Sequence, residues 1–203
     1  MNSFEIAILI PHYNNLDGLK KSLQSLSSIY KVDIVIVDDG SDTPEIPEYN
    51  LVKSYLSNLQ AKVHILHQES NEGVENTLNN GLRFILNQLK SNYIFRLDCG
   101  DICLHDRLDI QMQFLIENSD ICIVGSWVKY VNERSEDLFE LKLPLTHEQI
   151  KKRMYVRVPF IHSAVLFRTA ALKKVGFYTK QYKAAEDYAF FMRFVEECRT
   201  ANI

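Results

Sequence analysis

The chain has 203 residues, 46% of them hydrophobic and 11% aromatic, with a formal net charge of -3. That length suits one domain, and the acidic balance lacks the basic footprint of a nucleic-acid binder. No apolar run approaches the roughly 18 residues of a membrane span. Met1-Asn2-Ser3-Phe4-Glu5 has neither the charged nor the apolar part of an export signal. Cys99, Cys103, Cys122 and Cys198 show no paired spacing for zinc, so a cytosolic protein with reduced thiols is expected.

Residues 4–10 predict a buried first strand stopped by Pro11. Leu16, Leu19, Leu23 and Leu26 recur at helical spacing, with Asn15 as cap and Asp17 in the first turn. A second strand follows over 33–37, a helix over 49–59, a third strand over 62–66 and a long helix over 74–89. The fourth strand, 93–97, ends at Asp98. Strands alternating with helices predict right-handed βαβ units and a parallel sheet. Beyond residue 105 the pattern loosens. Helices are expected over 106–116, over 146–154 behind a Thr-x-Glu cap, and over 186–197. Strands are expected over 121–131, 138–143 and 163–168, with an acidic turn at 132–137. The expectation is one α/β domain with an irregular second half, and a carboxyl-terminal segment beyond the last helix that is absent from this chain.

Three strand ends carry chemistry: Pro11-His12-Tyr13-Asn14-Asn15, Asp38-Asp39-Gly40-Ser41 and Asp98-Cys99-Gly100-Asp101. In a parallel sheet they share one edge and can converge on a single crevice. Each has an ordinary explanation, since Asp, Gly and Ser form turns, Tyr13 could pack and Asp98 could cap a helix. Together they suit a nucleoside diphosphate. Tyr13 would stack on a base, Asp38 or Asp39 would accept from a ring N–H or a ribose hydroxyl, and the later acids would hold a divalent ion.

The stretches Ile6-Ala7-Ile8-Leu9-Ile10-Pro11-His12-Tyr13-Asn14, Ile34-Val35-Ile36-Val37-Asp38-Asp39-Gly40-Ser41, Asn71-Glu72-Gly73-Val74 and Leu97-Asp98-Cys99-Gly100-Asp101 keep a family order. So do His162-Ser163-Ala164 and Ala185-Glu186-Asp187-Tyr188. Over nearly its whole length the chain resembles the inverting family 2 glycosyltransferases of the GT-A fold, a Rossmann-like, mostly parallel sheet flanked by helices. The resemblance implies a nucleotide-binding half at 1–104 and an acceptor-side, catalytic half at 105–203. Pro11, Tyr13, Asp38 and Asp39 match nucleoside-binding positions, usually for uridine, and Asn71 and Gly73 match a loop near the donor. Asp98 and Asp101 match the motif that meets ribose and a divalent metal, Mn or Mg. Asp187, beside Glu186, matches the general base, and His162 a substrate contact. The first turn of a helix also favours acids for its dipole alone.

The implied partners are a UDP-sugar and a glycan or lipid-linked acceptor, with no nucleic acid and with peripheral attachment at the inner face of the membrane. Two positions depart from the family pattern. Gly100 replaces an acid of the metal motif, and Asn79 stands where a basic residue is common, leaving Arg83 or Arg107 for a phosphate. A sugar-nucleotide pyrophosphorylase would need a glycine-rich basic loop after strand one, and a receiver domain would be shorter. The other reading is a nucleotide-sugar-binding module that has lost catalysis.

Overall fold

The computed structural model describes residues 6–56, 59–104, 106–132, 134, 136–182 and 185–203. The expected strand start at 4–5, the end of the 49–59 helix at 57–58 and positions 133 and 135 of the acidic turn lie outside the described residues. Among those described, β1 (Ile6–His12), α1 (Leu16–Gln24), β2 (Val32–Asp38), α2 (Tyr49–Ser54), β3 (Ala61–His67), α3 (Val74–Phe84) and β4 (Tyr93–Arg96) alternate as expected. α3 runs on through a π-helical turn at Ile85–Leu89. Then come α4 (Arg107–Glu117), β5 (Ile121–Gly125), β6 (Val128–Val131), β7 (Asp137–Leu141), α5 (His147–Met154), β8 (Leu166–Arg168), α6 (Leu172–Val175), α7 (Glu186–Glu197) and β9 (Arg199–Asn202).

Seven strands form one sheet in the order β3-β2-β1-β4-β8-β5-β9, and β6 and β7 form a separate hairpin. β3, β2, β1 and β4 are parallel, β8 runs antiparallel to both its neighbours, and β9 is parallel to β5. Residues 6–10 of β1 are fully buried because both faces of the sheet are covered. Ile8, Ile10, Ile34 and Ile36 pack with Leu19, Leu23, Leu108 and Met112 of α1 and α4. Ala7, Leu9, Val35 and Val37 pack with Leu78 and Leu82 of α3 and, further along that face, Phe190 and Phe194 of α7. α3 lies directly on the strands at Gly81, where an added Cβ would come within 2.2 Å of Leu9 Cδ1 and 3.0 Å of Val37 Cγ2. No helix among the described residues is long and apolar enough to cross a membrane.

Several boundaries differ from expectation for physical reasons. Pro11 does not stop β1. Pairing with β4 covers only Ile6 to Leu9, so Pro11 lies past that ladder, where a missing N–H is tolerated. The strand expected over 121–131 breaks at Ser126 and Trp127, where the chain leaves the sheet for the hairpin. α5 opens on a capping box between Thr146 and Gln149, not on Glu148, because the partner must sit three residues on. The 163–168 strand shrinks to 166–168 behind a 3₁₀ turn at His162–Ala164. β9 was not anticipated, since Arg-Thr-Ala-Asn has no apolar period; its burial comes from pairing with β5.

Candidate active site

The carboxyl ends of β1, β2 and β4 and the start of α3 enclose a crevice of about 430 Å³. Pro11, Tyr13, Asp39, Asn71, Gly73 and Asp98 all line it, so six of the expected residues meet in one place. Tyr13 is 47% exposed at the crevice rim.

The two acids after β2 have different surroundings. Asp38 sits beneath the crevice, not in its lining, with its side chain 3% exposed. Its Oδ1 accepts from His12 Nδ1 at 3.0 Å and Ser41 Oγ at 2.5 Å, and its Oδ2 from His67 Nδ1 at 3.2 Å. Burial opposes its ionisation, but the bonds from Ser41, His12 and His67 outweigh that and hold its pKa below the usual carboxylate value. Asp39 faces the crevice and also accepts from Gln68 Nε2 at 2.7 Å and the backbone N–H groups of Glu72 and Gly73 at 2.8 and 3.1 Å. It thereby ties the 71–73 loop and the start of α3 to the end of β2. Gly40, at φ 71°, lets the chain turn there, since a Cβ would come within 2.4 Å of the Ser70 carbonyl carbon.

Asp98 is paired with Arg96, whose side chain is fully buried while that of Asp98 is 39% exposed. Arg96 Nη1 donates to the Leu9 carbonyl at 2.7 Å. Burial opposes ionisation of Asp98, and the Arg96 guanidinium overrides it, so its pKa is lowered. The thiol of Cys99 is pushed up to about 12 by burial and by the charges of Asp98 and Asp101, leaving it unreactive. Gly100, at φ 102°, donates its N–H to Ser22 Oγ, which in turn donates to the Asp101 carbonyl at 2.8 Å. Asp101 does not join Asp98 in the crevice lining; its Oδ2 accepts from Ser163 Oγ.

No group of three His, Cys, Asp or Glu among the described residues could by itself hold a metal. A divalent ion on a diphosphate takes one or two carboxylates and fills its shell with phosphate and water. Among the described residues nothing donates a hydrogen bond to Asp98 Oδ2 or Asp101 Oδ1, so each carboxylate keeps one oxygen of the kind such an ion takes.

Glu186, Asp187 and His162 lie outside the crevice lining. Glu186 and Asp187 open α7, and Asp187 Oδ1 accepts from the Tyr188 N–H at 2.6 Å. His162 Nε2 and Tyr178 Oη are 2.8 Å apart. Burial and the nearby Arg96 push the His162 pKa down to about 4, so it is neutral near pH 7. Burial raises the pKa of Tyr178, and the charges of Asp98 and Asp187 both act on its hydroxyl.

Other residues matter that the sequence reading passed over. Arg96 was detectable as a charge in an apolar strand. His12, His67 and Tyr178 carried no pattern, because their partners lie 16 to 29 positions away. Neither cation considered for a phosphate lines the crevice. Arg107 is spent on the carbonyls of Ser163 and Arg96 and on the Phe95 ring, and Arg83 bonds Asn80 beside the Phe177 ring. Asn79 clamps the backbone of Tyr178 in both directions, at 3.0 and 2.9 Å, which gives an amide at that position a structural use.

Residues 7–176 match the model of glycosyl transferase family 2. Among curated proteins, the chain is 31% identical over 186 residues to the Escherichia coli UDP-Gal:alpha-D-GlcNAc-diphosphoundecaprenol beta-1,3-galactosyltransferase, covering 89% of this chain and 64% of that protein. It is 28% identical over 191 residues to the amylovoran biosynthesis glycosyltransferase AmsE of Erwinia amylovora, covering 92% and 68%. The chain therefore spans about two thirds of these relatives' length. Among solved structures, S. aureus TarS superposes with a TM-score of 0.73 at 20% identity, over 98% of this chain and 35% of that one. The Pyrobaculum calidifontis mannosyltransferase PcManGT, in complex with GDP-Man and Mn2+, superposes with a TM-score of 0.68 at 14% identity, over 98% and 54%. The architecture is of the GT-A type, and the chain belongs to glycosyl transferase family 2.

Proposed function

We propose that residues 1–203 form the donor-binding and catalytic domain of an inverting glycosyltransferase. It moves a sugar from a UDP-linked donor to a hydroxyl of a glycan or lipid-linked acceptor, at the cytosolic face of the membrane. The observation that carries this reading is the crevice where Pro11, Tyr13, Asp39, Asn71, Gly73 and Asp98 converge. The relative named for a diphosphoundecaprenol-linked substrate supports a lipid-linked acceptor.

Tyr13 offers its ring face to the base. Asp39 accepts three hydrogen bonds and a carboxylate has about four lone-pair sites, so one direction is left for a ring N–H or a ribose hydroxyl. Asp38 acts through position, fixing His12 and Ser41 beneath the nucleoside. Asp98 and Asp101 would hold the divalent ion, Mn or Mg, which when bound supplies positive charge to the leaving diphosphate. Asp187, with Glu186 beside it, takes the proton from the acceptor hydroxyl in a single displacement. His162 stays neutral and offers the substrate a hydrogen bond instead of a proton.

Calorimetry with UDP, GDP and dTDP, with and without manganese, together with a donor-hydrolysis screen, tests the reading. UDP binding that strengthens with manganese, and slow UDP-sugar hydrolysis, support it. Metal-indifferent binding without hydrolysis favours a binding module that has lost catalysis, and no binding of any of the three rejects the donor site.

A further inference from the structure

α5 and the loop behind it present cations and apolar side chains to water together. Lys151, Lys152, Arg153 and Arg157 are exposed, and among them Tyr155 is 75% and Val156 83% exposed. Cations in a last helical turn complement the dipole, which accounts for the first three. It does not account for Arg157, beyond the helix, or for an aromatic and a β-branched residue left in solvent. The segment is held in place, because the N–H groups of Val156 and Arg157 both donate to the Arg153 carbonyl at 2.9 Å and Met154 is buried beneath. Glu148 is the one acid on α5, in a chain whose net charge is -3.

A second apolar surface sharpens the contrast. The β6–β7 hairpin exposes Tyr130, Val131, Leu138 and Phe139. Its lysines, however, sit against acids, Lys129 on Asp137 at 3.0 Å and Lys142 on Glu140 at 3.6 Å. That hairpin offers no net sign to an anionic partner, whereas the α5 surface does. The α5 surface is also tied to the catalytic half: Tyr188, next to Asp187, donates its hydroxyl to the Met154 carbonyl at 2.9 Å.

We infer that Lys151, Lys152, Arg153, Tyr155, Val156 and Arg157 form the surface by which the chain lies on an anionic phospholipid bilayer. The cations meet headgroups, and Tyr155 and Val156 enter the interface, where amphipathic aromatics prefer to sit. The inference rests on the proposed function in one respect: a bilayer docked here brings a lipid-linked hydroxyl toward the first turn of α7.

The test is co-sedimentation of the full chain with phosphatidylglycerol–phosphatidylethanolamine vesicles against phosphatidylcholine vesicles. Binding to the anionic vesicles is expected at low ionic strength, with loss near roughly 1 M NaCl, where the Debye length is about 3 Å. Each of Lys151→Gln, Lys152→Gln, Arg153→Gln and Arg157→Gln should weaken partitioning about fivefold, and the four together several hundred-fold, roughly. Tyr155→Ser with Val156→Ser should weaken it with all the cations in place. Equal binding to neutral vesicles, no binding at low salt, or parental binding by the fourfold variant overturns the inference, as does tighter retention on single-stranded RNA than on vesicles. Calorimetry with UDP on the same preparations reports on the donor site separately, so failure of one reading is distinguishable from failure of the other.

Discussion

At the crevice, Asp38 and Asp39 accept three hydrogen bonds each, and the bonds come from side chains and backbone already fixed in the fold. At α5, four cations and two apolar side chains face water. The first region is held by bonds internal to the fold, which suits a small polar molecule whose binding must not also order a loop. Among the described residues, the side chains of the second make no ion pair or hydrogen bond with the rest of the chain, which suits a broad, fluid surface recognised by sign and area. A small-molecule site needs a fixed shape, and a lipid surface does not.

The most severe way to break this comparison is Asp187→Asn. Transfer should fall roughly 10²- to 10⁴-fold, as for loss of a general base, with UDP affinity nearly unchanged by calorimetry. Parental transfer rates would remove the catalytic half from its proposed role. Asp98→Ala comes next. It strips the buried Arg96 guanidinium of its carboxylate. Because Asp98 is 39% exposed and Arg96 keeps the Leu9 and Leu97 carbonyls, urea unfolding should show a loss of about 3 kcal/mol, the low end for a buried pair. A neutral result would make Asp98 purely a ligand contact. His162 gives a smaller, pH-dependent effect. The unfolded chain protonates there near pH 6.5 and the folded state only near pH 4, so its contribution is full above 6.5 and falls as pH drops toward 4. The loss should reach about 2–3 kcal/mol, and His162→Gln should flatten melting temperature against pH in that window. The lowered carboxylates Asp38 and Asp98 act in a separate window, beginning below 3.8. Tyr13→Ala should cost the least, about 1–3 kcal/mol of UDP affinity if the ring stacks on the base, without changing stability.

The parallel half was legible because its strands are buried on both faces and read as continuous apolar runs, from Ile6 to Ile10 and from Ile34 to Val37. Strand ends there also locate the crevice, so Pro11, Tyr13, Asp39 and Asp98 could be grouped from order alone. What the sequence could not separate was Asp38 from Asp39. Adjacent residues on a strand point to opposite faces, and which one turns inward depends on His12 and His67, contributed by other strands. Asp101 shows the same dependence on distant partners, since Ser163, 62 positions away, donates to one of its two carboxylate oxygens. In the second half, β8 and β9 have three and four residues and owe their existence to neighbours.

Gly81 bears on any attempt to re-engineer this site. α3 carries Val74 and Thr77 into the crevice wall, and its depth against the sheet is set where bare backbone meets Leu9 and Val37. The helix works like a bearing seated without clearance. A methyl at position 81 would collide with Leu9 and Val37, so either those side chains repack or the helix moves, and in the second case the wall shifts while every crevice residue keeps its identity. Donor selectivity could therefore change through a position that no substrate ever touches.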